Sequence, residues 1–404
     1  MSNNWENNEE IQILREYLRI PSVHPDVDYE PCVDFLKRQA ESLNLAFNVY
    51  RLFNEKSPIV VISWIGRNSS LPSIMLNSHM DVVPAYPEHW SHPPFAAEMD
   101  ANGNIYARGA QDMKSIGVQY LAAIRALKKS GQTLERTLHL TYVPDEESDA
   151  IYGMKQFVHH DVFKSLNVGF SLDEGMTNQN DIYRVFYGER SNWKIVFKCS
   201  GHTGHGSILF QNTAGEKLSY ITQKLYEFRK TQTEKLESDP SLEEGDVTCV
   251  NLTILNGGVQ FNVIPVTFSA TFDMRFVPDF DLKEFEKQLN DWCNEAGGGI
   301  EIEFLYRDEN SPHTVTHLNE GNKYWMAMKK ALTDDLNVKF KTSIMPGNTD
   351  MWFVRSVNIP AISMTPTINT LNREHENDEY IPVDQYLRGI EIYTKILQRI
   401  ANIH

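Results

Sequence analysis

Apolar and polar positions alternate along the first half of this chain with two periods in turn. Residues 9–18 read as an amphipathic helix, and residues 59–65 and 74–78 as short apolar strands. Residues 113–129 read as a helix whose Ile116, Tyr120, Ala123 and Leu127 share one stripe. Apolar strand-length runs follow at 137–143 and 168–172. Strands interleaved with helices predict an α/β fold on a largely parallel sheet.

The rhythm changes after about residue 187. Strand, helix, strand, strand, helix and strand follow at 193–199, 213–229, 247–255, 266–276, 282–296 and 300–306. This βαββαβ order predicts a split-βαβ α+β unit inserted into the first domain as a lid. From about residue 312 the α/β character returns, with a helix at 323–332, a strand at 361–364 and a closing helix from 384. The closing helix aligns Tyr386, Ile390, Tyr393, Leu397 and Ile400 on one face. The expected domains are residues 1–187 and 312–404 as two parts of one catalytic body, and 188–311 as the lid.

Length and charge narrow the functional classes. A chain of 404 residues is long enough for two cores. Its 54 acidic and 38 basic residues give a formal charge of −16, which opposes binding to nucleic acid or anionic membranes. No stretch reaches the roughly 18 apolar residues of a membrane span, and the first twenty residues lack the features of a secretory signal, so a cytoplasmic protein is expected. Cys32, Cys199, Cys249 and Cys293 are scattered without a CxxC pair, which fits free thiols better than disulfides or a thiolate metal site. Any bound metal must then be held by histidine and carboxylates.

Several segments carry such residues at strand ends. His79 and Asp81 are two apart, so their side chains leave one face at the carboxyl end of a strand, where open α/β sheets bind ligands. The imidazole can ligate while the carboxylate orients it; a plain polar loop is the alternative. Asp112 precedes the helix near 113 and can either cap it or bridge two cations with its two oxygens. Glu146 and Glu147 follow Pro144, and neighbouring side chains in extended backbone diverge, so one can bind metal while the other faces an attacking water. A solvated surface pair is the bland reading of these glutamates, and Asp145 and Asp149 are read as solvated.

Glu174, after another strand, reads as a ligand, and its neighbour Asp173 as a turn residue. His375, in the acidic loop NREHENDEY, either supplies a final imidazole or stays uninvolved. Together His79, Asp112, Glu147, Glu174 and His375 form a nitrogen and oxygen set suited to two zinc ions, with Glu146 as general base.

The ordered segments LNSHMDVVP, ARGAQDMK, VPDEE, LDEG and HENDE resemble the landmarks of the M20 metallopeptidase family. The likeness extends through SGHTGHGS, VNLTILNGGVQFNVIP and DMRF and covers nearly the whole chain. It implies a zinc-exopeptidase-like domain with a dizinc site, a ferredoxin-like lid that mediates homodimerisation, and hydrolysis of N-acyl-L-amino acids, dipeptides or other amino-acid conjugates. Matched residue by residue, His79, Asp112, Glu147, Glu174 and His375 are the implied zinc ligands, with Asp112 bridging. Asp81 is implied to orient His79, and Glu146 to act as base. In the lid, His205 is implied to serve a neighbouring subunit's site, Asn262 to lie near substrate and Arg275 to hold the substrate carboxylate, while His202 stays a loop histidine. Gly347 and Thr349 are implied to line the site. One departure stands out: Trp352 occupies a position where this family often carries arginine, which implies weaker anion recognition and a larger apolar pocket.

Overall fold

Strand-length apolar runs in this chain are buried on both faces, the state that suits the centre of a parallel sheet. The computed structural model describes residues 5–148, 150–308 and 315–403, and in it Ser73–His79 and Leu138–Val143 are buried at every residue. The chain divides into two units. One comprises residues 1–187, 316–342 and 349–404, the other residues 188–315 and 343–348.

The first unit is built on an eight-stranded sheet in the order Ala46–Tyr50, Ile59–Trp64, Leu138–Val143, Ser73–His79, Val168–Asp173, Ala361–Ser363, Tyr183–Glu189, Phe340–Met345. Leu138–Val143, Ser73–His79, Val168–Asp173 and Ala361–Ser363 run parallel, and antiparallel pairings flank them. Three parallel neighbours therefore end together: His79 lies opposite Val143, and Leu76 opposite Leu172.

The helix Lys114–Lys129 buries thirteen of its sixteen residues, not the single stripe that its periodicity predicts. The reason is that it is covered on several sides, by the strand Ser73–His79, by the helix Glu9–Leu18 and by the closing helix Val383–Ile400. Gly117 permits the close approach to the sheet, since a Cβ there would stand 2.7 Å from Ser78 Oγ and 3.0 Å from the Tyr142 ring. The closing helix buries Tyr386, Ile392, Tyr393, Ile396, Leu397 and Ile400, each contributing roughly 1.5–3 kcal/mol when removed from water. Ile390 of the expected stripe is only partly buried.

The second unit has a four-stranded antiparallel sheet in the order Cys249–Gly257, Thr267–Phe276, Ser191–Ser200, Ile300–Arg307. Two helices, Ala214–Ser238 and Leu282–Glu295, share its core through Leu218, Ile221, Leu225, Phe285 and Leu289 against Trp193, Ile195, Phe197, Phe272 and Met274. A capping box starts the longer helix: the Glu216 amide donates to Thr213 Oγ1 at 3.3 Å and the Thr213 amide to Glu216 Oε2 at 2.8 Å. This helix outruns its expected end at 229 because its last third is polar and carries no buried stripe.

Residues 343–348 belong with this second unit, whereas the sequence reading places them in the catalytic body. Arg190 draws them there, donating from Nη2 to the Pro346 carbonyl at 2.8 Å. The expected boundary between residues 311 and 312 lies outside the described residues.

Candidate metal centre

The carboxyl ends of the three parallel neighbours deliver most of the donor side chains. His79 ends its own strand, Glu146 and Glu147 follow Leu138–Val143 in a single 3-10 turn, Glu146–Ser148, and Glu174 follows Val168–Asp173. Asp112 comes from the turn before Lys114–Lys129, and His375 from a loop where its φ is +63°. Ligand atoms of His79, Asp112 and Glu174 lie within 4.8 Å of one another, and so do those of Asp112, Glu147 and His375. Asp112 belongs to both triads. Its Oδ1 lies 2.9 Å from His79 Nε2 and its Oδ2 3.0 Å from His375 Nε2. Glu147 Oε2 stands 3.1 Å from the same His375 nitrogen, and Glu174 Oε1 3.5 Å from His79 Nε2.

Several bland readings fall here. Asp112 does not cap the helix: Met113 holds the cap position without a side-chain bond, and the Asp112 carboxylate faces the two imidazoles. His375 converges with the acidic groups although half of its side chain is exposed. Glu146 and Glu147 sit in a tight turn, not the extended backbone expected, because Asp145 takes φ of +55° and reverses the chain. Asp145 is itself buried, not solvated: its Oδ2 accepts the Tyr152 amide at 2.7 Å and its amide donates to Tyr29 Oη at 3.0 Å. Burial pushes its carboxyl up to about 7. Asp173 is a buried strand residue, not a turn residue, and Asp149 lies outside the described residues.

The tautomer of His79 follows from its partners. Its Nδ1 lies 2.9 Å from the main-chain carbonyl of Asp81, which can only accept, so Nδ1 carries the proton and Nε2 faces Asp112 and Glu174. The Asp81 carboxylate is farther away, at 3.6 Å from Nδ1. Its oxygens instead accept the amides of Glu146 at 3.3 Å and Glu147 at 3.1 Å and meet His24 Nε2 at 2.6 Å. Burial opposes ionisation of Asp81, but the hydrogen bond from His24 and the closeness of His79 outweigh it and hold the carboxyl well below its usual range.

Two supports escape sequence reasoning. Glu379 is fully buried; its Oε2 accepts from Arg108 Nη1 at 2.8 Å and the Gly109 amide at 3.0 Å, and its Oε1 from the Gln111 and Asp112 amides at 2.6 and 3.2 Å. Arg108 Nη2 also donates to the His375 carbonyl at 3.3 Å. One buried ion pair thus fixes both the turn of Asp112 and the loop of His375. Gly109 takes φ of +89° there, which favours glycine. Asn77 lies two residues before His79 and donates to Asp350 at 2.9 Å and Asp173 at 3.3 Å.

The charge balance fits a multivalent cation. Among the described residues, His79 and His375 are the ion-pair partners of Asp112, Glu147 and Glu174. Burial raises the pKa of Glu146, Glu147 and Glu174, the neighbouring Glu374 rises to about 8, and hydrogen bonds to Asp112 and Glu147 lift His375 to about 11. Carboxylates so crowded and buried suit a bound dication. The donors are nitrogen and oxygen, without thiolate.

The implied lid residues lie in the second unit. His205 Nδ1 is 2.7 Å from Ser207 Oγ, and the Asn262 carbonyl accepts from the Gly206 amide at 2.8 Å. Arg275 binds Asp273 Oδ1 through Nε at 2.8 Å and Asn348 Oδ1 through Nη1 at 2.6 Å. His202 stacks on Phe210.

The sequence model of Peptidase family M20/M25/M40 matches residues 75–399, which contain every donor of both triads. The chain belongs to this family. Aminoacylase-1 of Homo sapiens is 43% identical over 401 residues, covering 98% of this chain and 97% of its own. Aminoacylase-1 of Dictyostelium discoideum is 37% identical over 413 residues, covering 99% and 100%. Among solved structures, an M20 family metallo-carboxypeptidase from Sulfolobus solfataricus superposes with a TM-score of 0.73 at 20% identity, covering 98% and 99% of the two chains. The di-peptidase Dug1p from Saccharomyces cerevisiae superposes with a TM-score of 0.70 at 17% identity, covering 97% and 96%. The donor set and membership of the M20 family together identify a divalent-metal hydrolase. Among the described residues no helix is long and apolar enough to cross a membrane.

The Arg108–Glu379 pair generates a test. Glu379→Gln keeps the shape but removes the charge that gathers four donors, so metal affinity in chelator competition falls by about 10- to 100-fold. Unchanged affinity contradicts the assigned support.

Proposed function

We propose that this chain is a dizinc amidohydrolase that cleaves N-acyl-L-amino acids into a carboxylate and a free L-amino acid. The observation that carries this reading is the pair of donor triads sharing Asp112, with half-buried Glu146 beside the charges of His79, Glu174 and Glu147. The near full-length similarity to aminoacylase-1 supports the choice of substrate class. Imidazole and carboxylate donors in two sets of three suit zinc. His79, Asp112 and Glu174 hold one ion; Asp112, Glu147 and His375 hold the other.

When bound, such a pair of ions acidifies a water and polarises the amide carbonyl. Glu146 accepts the proton of the attacking water and delivers it to the amide nitrogen as the C–N bond breaks. Burial and the neighbouring carboxylates raise its pKa, which strengthens it as a base. Arg275 offers a planar fork of donors to the substrate carboxylate, sharing its charge with Asp273. Asn262 lies near bound substrate in this reading.

The active species is a homodimer in which His205 serves the partner's centre and stabilises the developing oxyanion. Its surroundings support a partner: Ile208, Leu209, Val259 and Phe261 are exposed apolar side chains flanking His205 and Asn262 in sequence. A cytoplasmic location fits the four free cysteines. Trp352 favours a second reading, an acyl or peptide substrate with a bulky apolar part. It is half-buried in the first turn of Met351–Ser356, next to the Asp350 that holds Asn77.

Steady-state rates of zinc-loaded protein on acetyl-methionine, a long-chain acyl-glutamine and a dipeptide separate these substrates. Acyl amino acids are turned over fastest, and Glu146→Gln retains zinc while losing roughly 100- to 10,000-fold in kcat. A preference for the dipeptide sinks the substrate assignment, and an active Glu146→Gln sinks the base. For the dimer, mixing inactive His205→Ala and Glu146→Gln subunits regenerates part of the activity. Failure after demonstrated subunit exchange contradicts catalysis across the interface.

A further inference from the structure

Residues 22–24 run alongside the segment that follows His79. Val23 bridges Val82 in parallel, the Val82 amide donates to the Ser22 carbonyl at 2.9 Å and the His24 amide to the Val82 carbonyl at 3.2 Å. Ser22 Oγ adds a bond to the Met80 carbonyl at 2.6 Å. These contacts seat His24 against Asp81, whose carboxylate is fully buried. His24 Nε2 lies 2.6 Å from Asp81 Oδ2, and the same carboxylate accepts the Glu146 and Glu147 amides at 3.3 and 3.1 Å. A single buried anion therefore ties the His24 imidazole to the turn that carries both glutamates.

We propose that His24 is a positioning residue for Glu146, acting through Asp81 to fix the two amides that aim Glu146 and Glu147 into the centre. Among the described residues, the ion-pair partners of Asp81 are His24 and the more distant His79. The buried Lys114 ammonium also acts on Asp81 through space, but His24 is the imidazole at hydrogen-bond distance from the carboxylate. A buried carboxylate stripped of its cation seeks water, and turning toward it releases the amides. Water is at hand. A cavity of about 240 Å³ is lined by His24, Tyr29, Lys56, Asp145, Ser148 and Tyr152. Removing the imidazole opens this cavity toward Asp81 and leaves room for a free imidazole to take its place.

The inference rests on Glu146 being the base, and the experiment keeps the two apart. His24→Ala, His24→Gln and Glu146→Gln are prepared as zinc-loaded full chains. For each, kcat and KM on acetyl-methionine, bound zinc and the thermal midpoint are measured with and without free imidazole, relative to the parent enzyme under the same condition. His24→Ala lowers kcat by about 10- to 100-fold with KM within about threefold, keeps its zinc and midpoint, and regains at least about fivefold in kcat with imidazole. His24→Gln, which keeps a donor without the charge, falls between. A His24→Ala kcat within about threefold of the parent overturns the inference, as does a loss of rate that follows lost zinc or lowered midpoint without imidazole rescue. Activity in Glu146→Gln overturns the underlying reading instead, whatever His24→Ala does.

Discussion

The structure turns on negative charge gathered where water is scarce. Asp112, Glu147 and Glu174 meet two imidazoles in one crevice, Glu146 adjoins them, Asp173 and Asp350 lie close enough to raise their neighbours' pKa, and Glu374 is itself raised by burial and Asp112. Two imidazoles cannot neutralise that many carboxylates. A bound dication would offset what the histidines leave, and the same uncompensated field would give it affinity.

The sheet makes the crowding possible. Parallel strands ending side by side place His79, the Glu146–Glu147 turn and Glu174 at one rim, and each donor leaves a strand that is buried along most of its length. Rigid backbone thus carries the donors, while buried anions aim them: Asp81 holds the amides of both glutamates, and Glu379 holds the Asp112 turn. Carboxylates in this centre have two separate tasks, binding and bracing. The bracing ones are satisfied by amides, His24 or Arg108, and the binding ones face each other across the crevice.

Much of this was legible in the sequence because the donors obey simple local rules. A histidine or carboxylate directly after an apolar strand falls at the carboxyl rim of a parallel sheet, and that rule alone places His79, Glu147 and Glu174. Bracing by Glu379 was not legible, since Arg108 and Glu379 are 271 residues apart and no local pattern distinguishes Glu379 from the other carboxylates of NREHENDEY. His24 was missed for the same reason, being 57 residues from Asp81 in a short polar loop. Asp145 was misread because composition shows charge but not the turn that buries it. Periodicity likewise under-counted the burial of Lys114–Lys129, which is enclosed by partners that its own sequence cannot announce.

Anomalous diffraction from crystals of the zinc-loaded protein tests the central claim most directly. The account predicts two peaks roughly 3.5–4 Å apart, one ringed by His79 and Glu174, the other by Glu147 and His375, with the Asp112 carboxylate touching both. A single peak, or two peaks of which Asp112 touches neither or only one, contradicts it.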